Sequence, residues 1–207
     1  MSVSRAALFG LAASLVATPA ALASNYPYDP APVIAHDPKD AAAGAYKLEP
    51  AHTSVTMKLS HMGLSFYTIR FSGVRGRYDY DPAHPTASKI EIVIDPNSID
   101  TGDTKFDALI AKKYFNSAKF PTITFTSTDI RAIGNHGTVE GVLDLHGIKK
   151  PIVLDVTYRG FWSEEKPERM GFSATTTLKR SDFGVDPYVP AESDEVTVLI
   201  ETEFLKA

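Results

Sequence analysis

From Tyr46 to the C-terminus, apolar and polar residues alternate in short runs, as they do in strands with one buried face. In the first run, Val55, Met57 and Leu59 alternate with polar residues. Similar rows follow along the chain, with apolar members at Ile69, Phe71, Val74, Tyr78, Tyr80, Ile90, Ile92, Ile94, Ile123, Phe125, Val139, Leu143, Leu145, Ile152, Leu154, Val156, Tyr158, Met170, Phe172, Ala174, Leu178, Val196, Val198, Ile200 and Phe204. About eight strands without β-α-β alternation predict an antiparallel sheet.

The sheet is predicted to close into a barrel. The apolar phase slips near Gly73 and Gly76, which predicts the bulge or bend that a barrel needs in order to curve. An eight-stranded barrel can fill with side chains or hold one slender ligand, and periodicity leaves both open. The many Thr and Gly residues on the strands favour a cavity.

One segment has a helical pattern instead. Phe106, Leu109, Ile110 and Tyr114 follow Asp103-Thr104 with the spacing of one helix face, and Asp103-Thr104 is a suitable N-cap region. We expect a single short helix that lies over or across one mouth of the barrel.

The N-terminus has the features of a secretory signal. Arg5 precedes an apolar run from residue 6 to residue 17, and Ala21-Leu22-Ala23 supplies small residues for cleavage. The run is shorter than the roughly 20 residues of a membrane span. We predict a signal peptide over residues 1–23 and a periplasmic mature protein.

Residues 24–45, rich in Pro, Ala, Asp and Tyr, show no period. They predict an extended arm, or alternatively a strand at the barrel edge, before a barrel domain over residues 46–207. The sequence contains no Cys, which excludes disulfides, thiolate metal sites and a lipoprotein anchor. A net charge of −4 argues against nucleic acid as a partner.

The sequence lacks recognisable catalytic or cofactor motifs. It contains no nucleophile elbow and no phosphate-binding loop, and its six His residues are scattered without metal-ligand spacing. We therefore predict no enzyme activity, no catalytic residue, no cofactor and no metal site.

Two polar residues share the inward parity of their strands. His61 follows the row of Val55 and Leu59, and Arg180 follows the row that contains Leu178. An inward Arg needs a carboxylate, a phosphate or a row of carbonyls. Arg180 is therefore interpreted either as a ligand head-group contact or as an ion pair with Asp182 or Asp100, and His61 as a hydrogen-bonded core or rim residue.

Several motifs, in order from Tyr46 to the C-terminus, carry a family resemblance. They are Glu49-Pro50-Ala51-His52-Thr53-Ser54-Val55, Leu59-Ser60-His61-Met62-Gly63-Leu64, Ser98-Ile99-Asp100-Thr101-Gly102, Lys119-Phe120-Pro121-Thr122-Ile123, Leu145-His146-Gly147 with Lys150-Pro151, and Arg180-Ser181-Asp182-Phe183-Gly184-Val185. Together they resemble the YceI-like family of periplasmic polyisoprenoid-binding proteins.

The resemblance implies an eight-stranded, lipocalin-like antiparallel barrel with a helical insert and a long apolar channel. The expected ligand is an isoprenoid quinone, a polyprenyl phosphate or a similar amphiphile. Further expected partners are a membrane or membrane protein in transient contact and a second copy of the chain. Strand parity, the helix face and the turn at Phe183 together assign to the ligand site Met57, Leu59, His61, Phe71, Ile92, Ile94, Phe106, Leu109, Phe115, Ile123, Phe125, Leu143, Leu154, Phe172, Arg180 and Phe183.

Two other functions compete with a lipid carrier. A filled barrel would be typical of a secreted stress or adhesion protein that acts through protein contacts. A hydrolase acting on a bound isoprenoid would use His61 or His52 as its base, but the sequence offers no matching nucleophile.

Overall fold

A computed structural model describes residues 32–164 and 166–207, so the predicted signal peptide lies outside the described residues. One α-helix, α1 (Thr104–Lys113), accompanies strands β1 (Gly44–His61), β2 (Ser65–Phe71), β3 (Val74–Tyr80), β4 (Lys89–Ile94), β5 (Ile99–Asp100), β6 (Ile123–Ile133), β7 (His136–Leu145), β8 (Ile148–Trp162), β9 (Arg169–Lys179) and β10 (Glu192–Lys206). Within the described ranges, no helix has the length and apolar character needed to span a membrane.

The strands close into the predicted eight-stranded antiparallel barrel. The order around the barrel is β1, β3, β4, β6, β7, β8, β9 and β10, and pairing of β10 with β1 closes the ring. Strand β2 continues the course of β3 along the second half of β1, and the short β5 pairs with β2. Closure leaves the ring without a free edge of unpaired backbone groups.

The break between β2 and β3 falls at the predicted slip of the apolar phase. The N–H of Asp95 donates to the carbonyl of Gly73 (2.9 Å). A Cβ on Gly73 would lie only 2.7 Å from Cβ of Ser98. Glycine therefore lets the loop after β4 pass close to the bend, and the bend turns the sheet into the barrel.

Helix α1 begins where the sequence predicts. The carboxylate of its N-cap, Asp103, accepts the N–H groups of Lys105 (2.9 Å) and Phe106 (3.3 Å). Ile110 is buried, and the ring of Phe106 packs edge-on against Tyr67 with centroids 6.0 Å apart. The helix contacts β5 beside β2. We call this end of the barrel, with the β1–β2 turn and the 3-10 turn after β9, the helix end.

The segment before β1, residues 32–43, is called the arm. Ala35 exchanges two backbone hydrogen bonds with Phe161 of β8, at 2.9 and 2.8 Å. The arm passes so close to β8 that a Cβ on Gly160 would lie 2.2 Å from the side chain of Ile34. This β-bridge and side-chain hydrogen bonds to the arm hold the described part of the arm on the barrel. We call this end of the barrel, which includes the β3–β4 loop and the β6–β7 turn, the arm end.

Candidate ligand-binding cavity

The barrel encloses a cavity of about 420 Å³, and each of the eight strands of the ring contributes inward-facing side chains to its wall. Typical members are Ile92 on β4, Phe125 on β6 and Leu154 on β8. The volume falls in the range of small-molecule sites, about 300–1,000 Å³. Because the wall is almost entirely aliphatic and aromatic, it suits an apolar ligand.

The inward rows combine buried and half-buried side chains. Ile92, Leu154 and Phe172 share the inward faces of their strands with fully buried residues, yet each is only half-buried because it faces the cavity. The barrel is therefore hollow, and of the two possibilities that periodicity left open the cavity is the one observed. At ~24 cal/mol per Å³, an unfilled apolar cavity of this size would cost on the order of 10 kcal/mol, comparable to the whole stability of a domain.

Most of the ligand-site residues predicted from parity face this cavity. They are Met57, Phe71, Ile92, Ile94, Phe115, Ile123, Phe125, Leu143, Leu154 and Phe172. They come from seven strands and from the segment after α1, and the barrel places them on one continuous surface. Their contact with a ligand stays a prediction.

Four predicted wall residues lie outside the cavity, at the helix end. Leu59 and Phe183 are buried, while Phe106 and Leu109 are half-buried on one face of α1. They are not among the residues that line the cavity, and the reason is simple. The inward row of β1 continues past the cavity, and the other three belong to the helix and the 3-10 turn that pack over this end.

Arg180 and His61 lie near each other, as predicted, but also outside the cavity wall. His61 pairs with Glu192 in the sheet, and the guanidinium of Arg180 reaches the same strand. Strand β9 ends at Lys179, so the parity of the strand does not carry Arg180 inward. Its guanidinium donates at 2.8–3.1 Å to the carbonyls of Val185, Pro187, Glu192 and Ser193.

The alternative ion pairs of Arg180 are not its observed partners either. Asp182 binds Nζ of Lys150 (2.8 Å), and Asp100 accepts the N–H of Gly102 (2.9 Å). Among the partners that an inward Arg can have, the row of carbonyls is the one observed. Arg180 fixes the loop between β9 and β10.

The cavity reaches solvent at the arm end. Its exposed lining residues belong to the arm, with Asp37 and Lys39, or to the β6–β7 turn and the strand ends beside it, with Arg131 and His136. Arg131 is paired with Asp129 at 2.7 Å. The sequence patterns missed this mouth because turns and the proline-rich arm carry no periodicity that relates them in space.

Tyrosine side chains gather just inside the mouth. The hydroxyl of Tyr80 donates to the carbonyl of Pro38 (2.6 Å), and that of Tyr46 donates to Ala42 (2.6 Å). Burial raises the pKa of both phenols to about 12, so both stay protonated at neutral pH. Tyr158 stands beside them and also lines the cavity.

Comparison with known proteins agrees with this architecture. Residues 46–204 match the model of the YceI-like domain. The chain belongs to the YceI-like family. A UPF0312 protein of Pseudomonas paraeruginosa is 32% identical over 170 residues, which cover 80% of this chain and 89% of the relative.

Two solved structures of this family's fold are similar to the chain. Burkholderia cenocepacia BcnA has a TM-score of 0.67 at 24% identity, with coverage of 75% of this chain and 98% of BcnA. A domain from Saccharophagus degradans, described as a polyisoprenoid binding domain implicated in plant cell wall breakdown, has a TM-score of 0.64 at 18% identity. The match covers 80% of this chain and all of that domain. At these identities the likeness establishes the shared barrel.

Outside the cavity of this YceI-like barrel, Glu49, His52 and Glu203 bring possible ligand atoms within 4.8 Å of one another. The cluster already holds a cation, because Arg169 donates to Glu203 at 2.5 Å, and Nδ1 of His52 lies 2.5 Å from Glu49. Partial desolvation opposes ionisation of Glu49, but hydrogen bonds from Ala51 and His52 outweigh it and lower its pKa. We interpret the cluster as an ion-pair network. His52, the candidate base of the hydrolase alternative, lies in it and not on the cavity wall.

Proposed function

We propose that this YceI-like protein is a periplasmic binding and carrier protein for one long isoprenoid-type lipid, held inside the barrel. The observation that carries the proposal is the apolar cavity of about 420 Å³ within a closed barrel, open at the arm end. One chain forms the whole wall, so binding needs no second copy. The similar Saccharophagus degradans domain, described as polyisoprenoid binding, supports the choice of ligand class.

The energetics of burial suit a slender hydrocarbon. Each isoprene unit has five carbons, and its full burial contributes up to about 4 kcal/mol at ~0.8 kcal/mol per carbon. A few units therefore approach the practical affinity ceiling of roughly −18 to −21 kcal/mol before ordering costs are subtracted. The tail supplies the affinity, and polar groups near one end supply selectivity.

The cavity wall supports binding better than catalysis. Inward positions such as Ile152, Val156 and Val198 carry aliphatic side chains, which offer neither a nucleophile nor a general base. Ligand chemistry in such a wall is limited to exclusion of water and alignment of the chain. A carrier that releases its lipid unchanged needs no more than that.

The ligand can be identified directly. We expect organic extraction of the protein, purified from the periplasm of its native host without detergent, to release an isoprenoid-type lipid in about one copy per chain. Lipid mass spectrometry identifies it, and a periplasmic protein of similar size purified in parallel serves as the control. A protein that carries only the phospholipids found on the control would contradict the proposal and favour a role through protein contacts.

Export is tested separately. We expect the mature protein in the periplasmic fraction to begin near Ser24, because Ala21-Leu22-Ala23 provides the cleavage site. N-terminal sequencing checks this. Recovery of the chain with an intact Met1 from the membrane fraction would contradict it.

A further inference from the structure

The hydroxyl of Tyr158 is a buried polar group on the cavity wall. The side chain is 6% exposed and lies at the arm end of β8. Its ring packs against Phe172, with centroids 5.5 Å apart, so its orientation is fixed. Among residues 32–164 and 166–207, this hydroxyl has no hydrogen-bond partner. A buried hydroxyl without a partner is costly, which makes this one exceptional.

The neighbouring tyrosines differ from Tyr158, because their hydroxyls have hydrogen-bond partners. Tyr80 and Tyr46 are close enough to Tyr158 to influence its ionisation, and each donates its hydroxyl to a carbonyl of the arm. The arm therefore satisfies two of these three hydroxyls. The third lines the cavity, where a ligand can reach it.

We propose that the polar end of the bound lipid lies at the arm end, where an uncharged, oxygen-bearing head group accepts a hydrogen bond from the hydroxyl of Tyr158. This inference rests on the proposed function and adds the orientation and head-group class of the ligand. The tail then runs toward Phe115 and Leu145 beneath the helix end. An alcohol or a quinone fits this description, and a phosphate or diphosphate does not.

The surroundings of Tyr158 disfavour a charged head. Burial raises the pKa of Tyr158 well above its ordinary value, and the nearby Tyr80, Tyr46, Asp40 and Asp37 raise it further. Surroundings that make a negative charge on the phenol unfavourable also make an anionic head group unfavourable at the same place. Arg131 lies at the rim of the cavity, and its guanidinium is already paired with Asp129.

Three probes with one tail separate the contributions. They are geranylgeraniol, its diphosphate, and the corresponding hydrocarbon without a head group, each titrated into protein stripped of lipid. We expect the wild type to bind the alcohol about threefold to tenfold more tightly than the hydrocarbon, which is the range of one hydrogen bond. Tyr158→Phe should remove that difference and leave the hydrocarbon affinity unchanged. The diphosphate should bind more weakly than the alcohol.

Tyr67→Phe is the matched control, because Tyr67 packs on Phe106 and does not line the cavity. It should keep the preference for the alcohol. If Tyr158→Phe also kept it, or if the diphosphate bound most tightly, the inference would be wrong while the proposed function stood. If the wild type bound none of the three probes, the proposed function would fail and this inference with it.

Stability of the lipid-free protein gives a second readout. Tyr158→Phe removes a hydroxyl without a partner, so the melting temperature should stay constant or rise. Tyr80→Phe removes the 2.6 Å hydrogen bond to Pro38 and should lower it by about 2–4 °C. An equal decrease in both variants would show that the Tyr158 hydroxyl already has a partner in the lipid-free protein, and would overturn the inference.

Discussion

Replacing Thr176 with phenylalanine will abolish lipid binding and leave the barrel folded. Thr176 lies on β9, pairs with Val198 of β10 and faces the cavity. A phenyl ring at this position extends into space that the tail would occupy. Each displaced isoprene unit forfeits up to about 4 kcal/mol, so loss of a single unit weakens binding by up to roughly 1,000-fold, and loss of several units removes it. Titration of the lipid-free variant with a long prenyl alcohol measures the effect.

The neighbouring residue provides a control with the same chemical change. Thr177 is exposed on the outer face of β9, so Thr177→Phe adds the same ring outside the barrel. It should bind the alcohol with wild-type affinity. Thermal unfolding of both variants should remain cooperative, which separates blockage from misfolding. Wild-type binding by a folded Thr176→Phe protein would mean that the lipid lies elsewhere.

Replacing Arg180 with methionine will destabilise the protein and leave its ranking of lipids unchanged. The guanidinium donates to four backbone carbonyls around the β9–β10 loop. Hydrogen bonds from a charged donor contribute about 1.5–3 kcal/mol each and are not additive, and water replaces part of what is lost. We expect the free energy of unfolding to fall by about 2–4 kcal/mol, measured by urea denaturation.

Arg180→Lys tests whether the geometry of the guanidinium matters beyond its charge. A lysine ammonium keeps the charge, but it lacks the planar set of donors that reaches these four carbonyls. Arg180→Lys should therefore restore only part of the lost stability. In both variants the affinity ratio between a polyprenyl phosphate and its alcohol should equal that of the wild type. If Arg180→Met kept wild-type stability but weakened the phosphate selectively, Arg180 would be a head-group ligand after all.

Much of the fold could be predicted because period-2 alternation is a local property that survives folding. The rows through Ile92 on β4 and Leu154 on β8 face inward as their parity requires. The capping residue Asp103 likewise located the start of α1. Closure of the ring followed from the number of strands and the bend near Gly73, since a curved antiparallel sheet of this size can pair its outer strands.

The cavity's depth and mouth could not be predicted, because they depend on how distant segments meet. Alternation looks the same for a hollow barrel and a filled one. The parity of β9 misplaced Arg180 because the strand ends one residue earlier, and a strand end has no periodic signal. Parity did place Tyr158 inward, but the lack of a partner for its hydroxyl depends on the position of the arm.

The most direct test of a lipid-carrying barrel is a crystal structure of the protein isolated from its native host, without detergent or added lipid. We predict continuous, elongated density for one ligand, with its tail between Ile92 and Leu154 and its polar end at Tyr158. Thr176→Phe, prepared in the same way, should show no such density. A wild-type cavity that contains only scattered water, in protein that purified without lipid, would contradict the account.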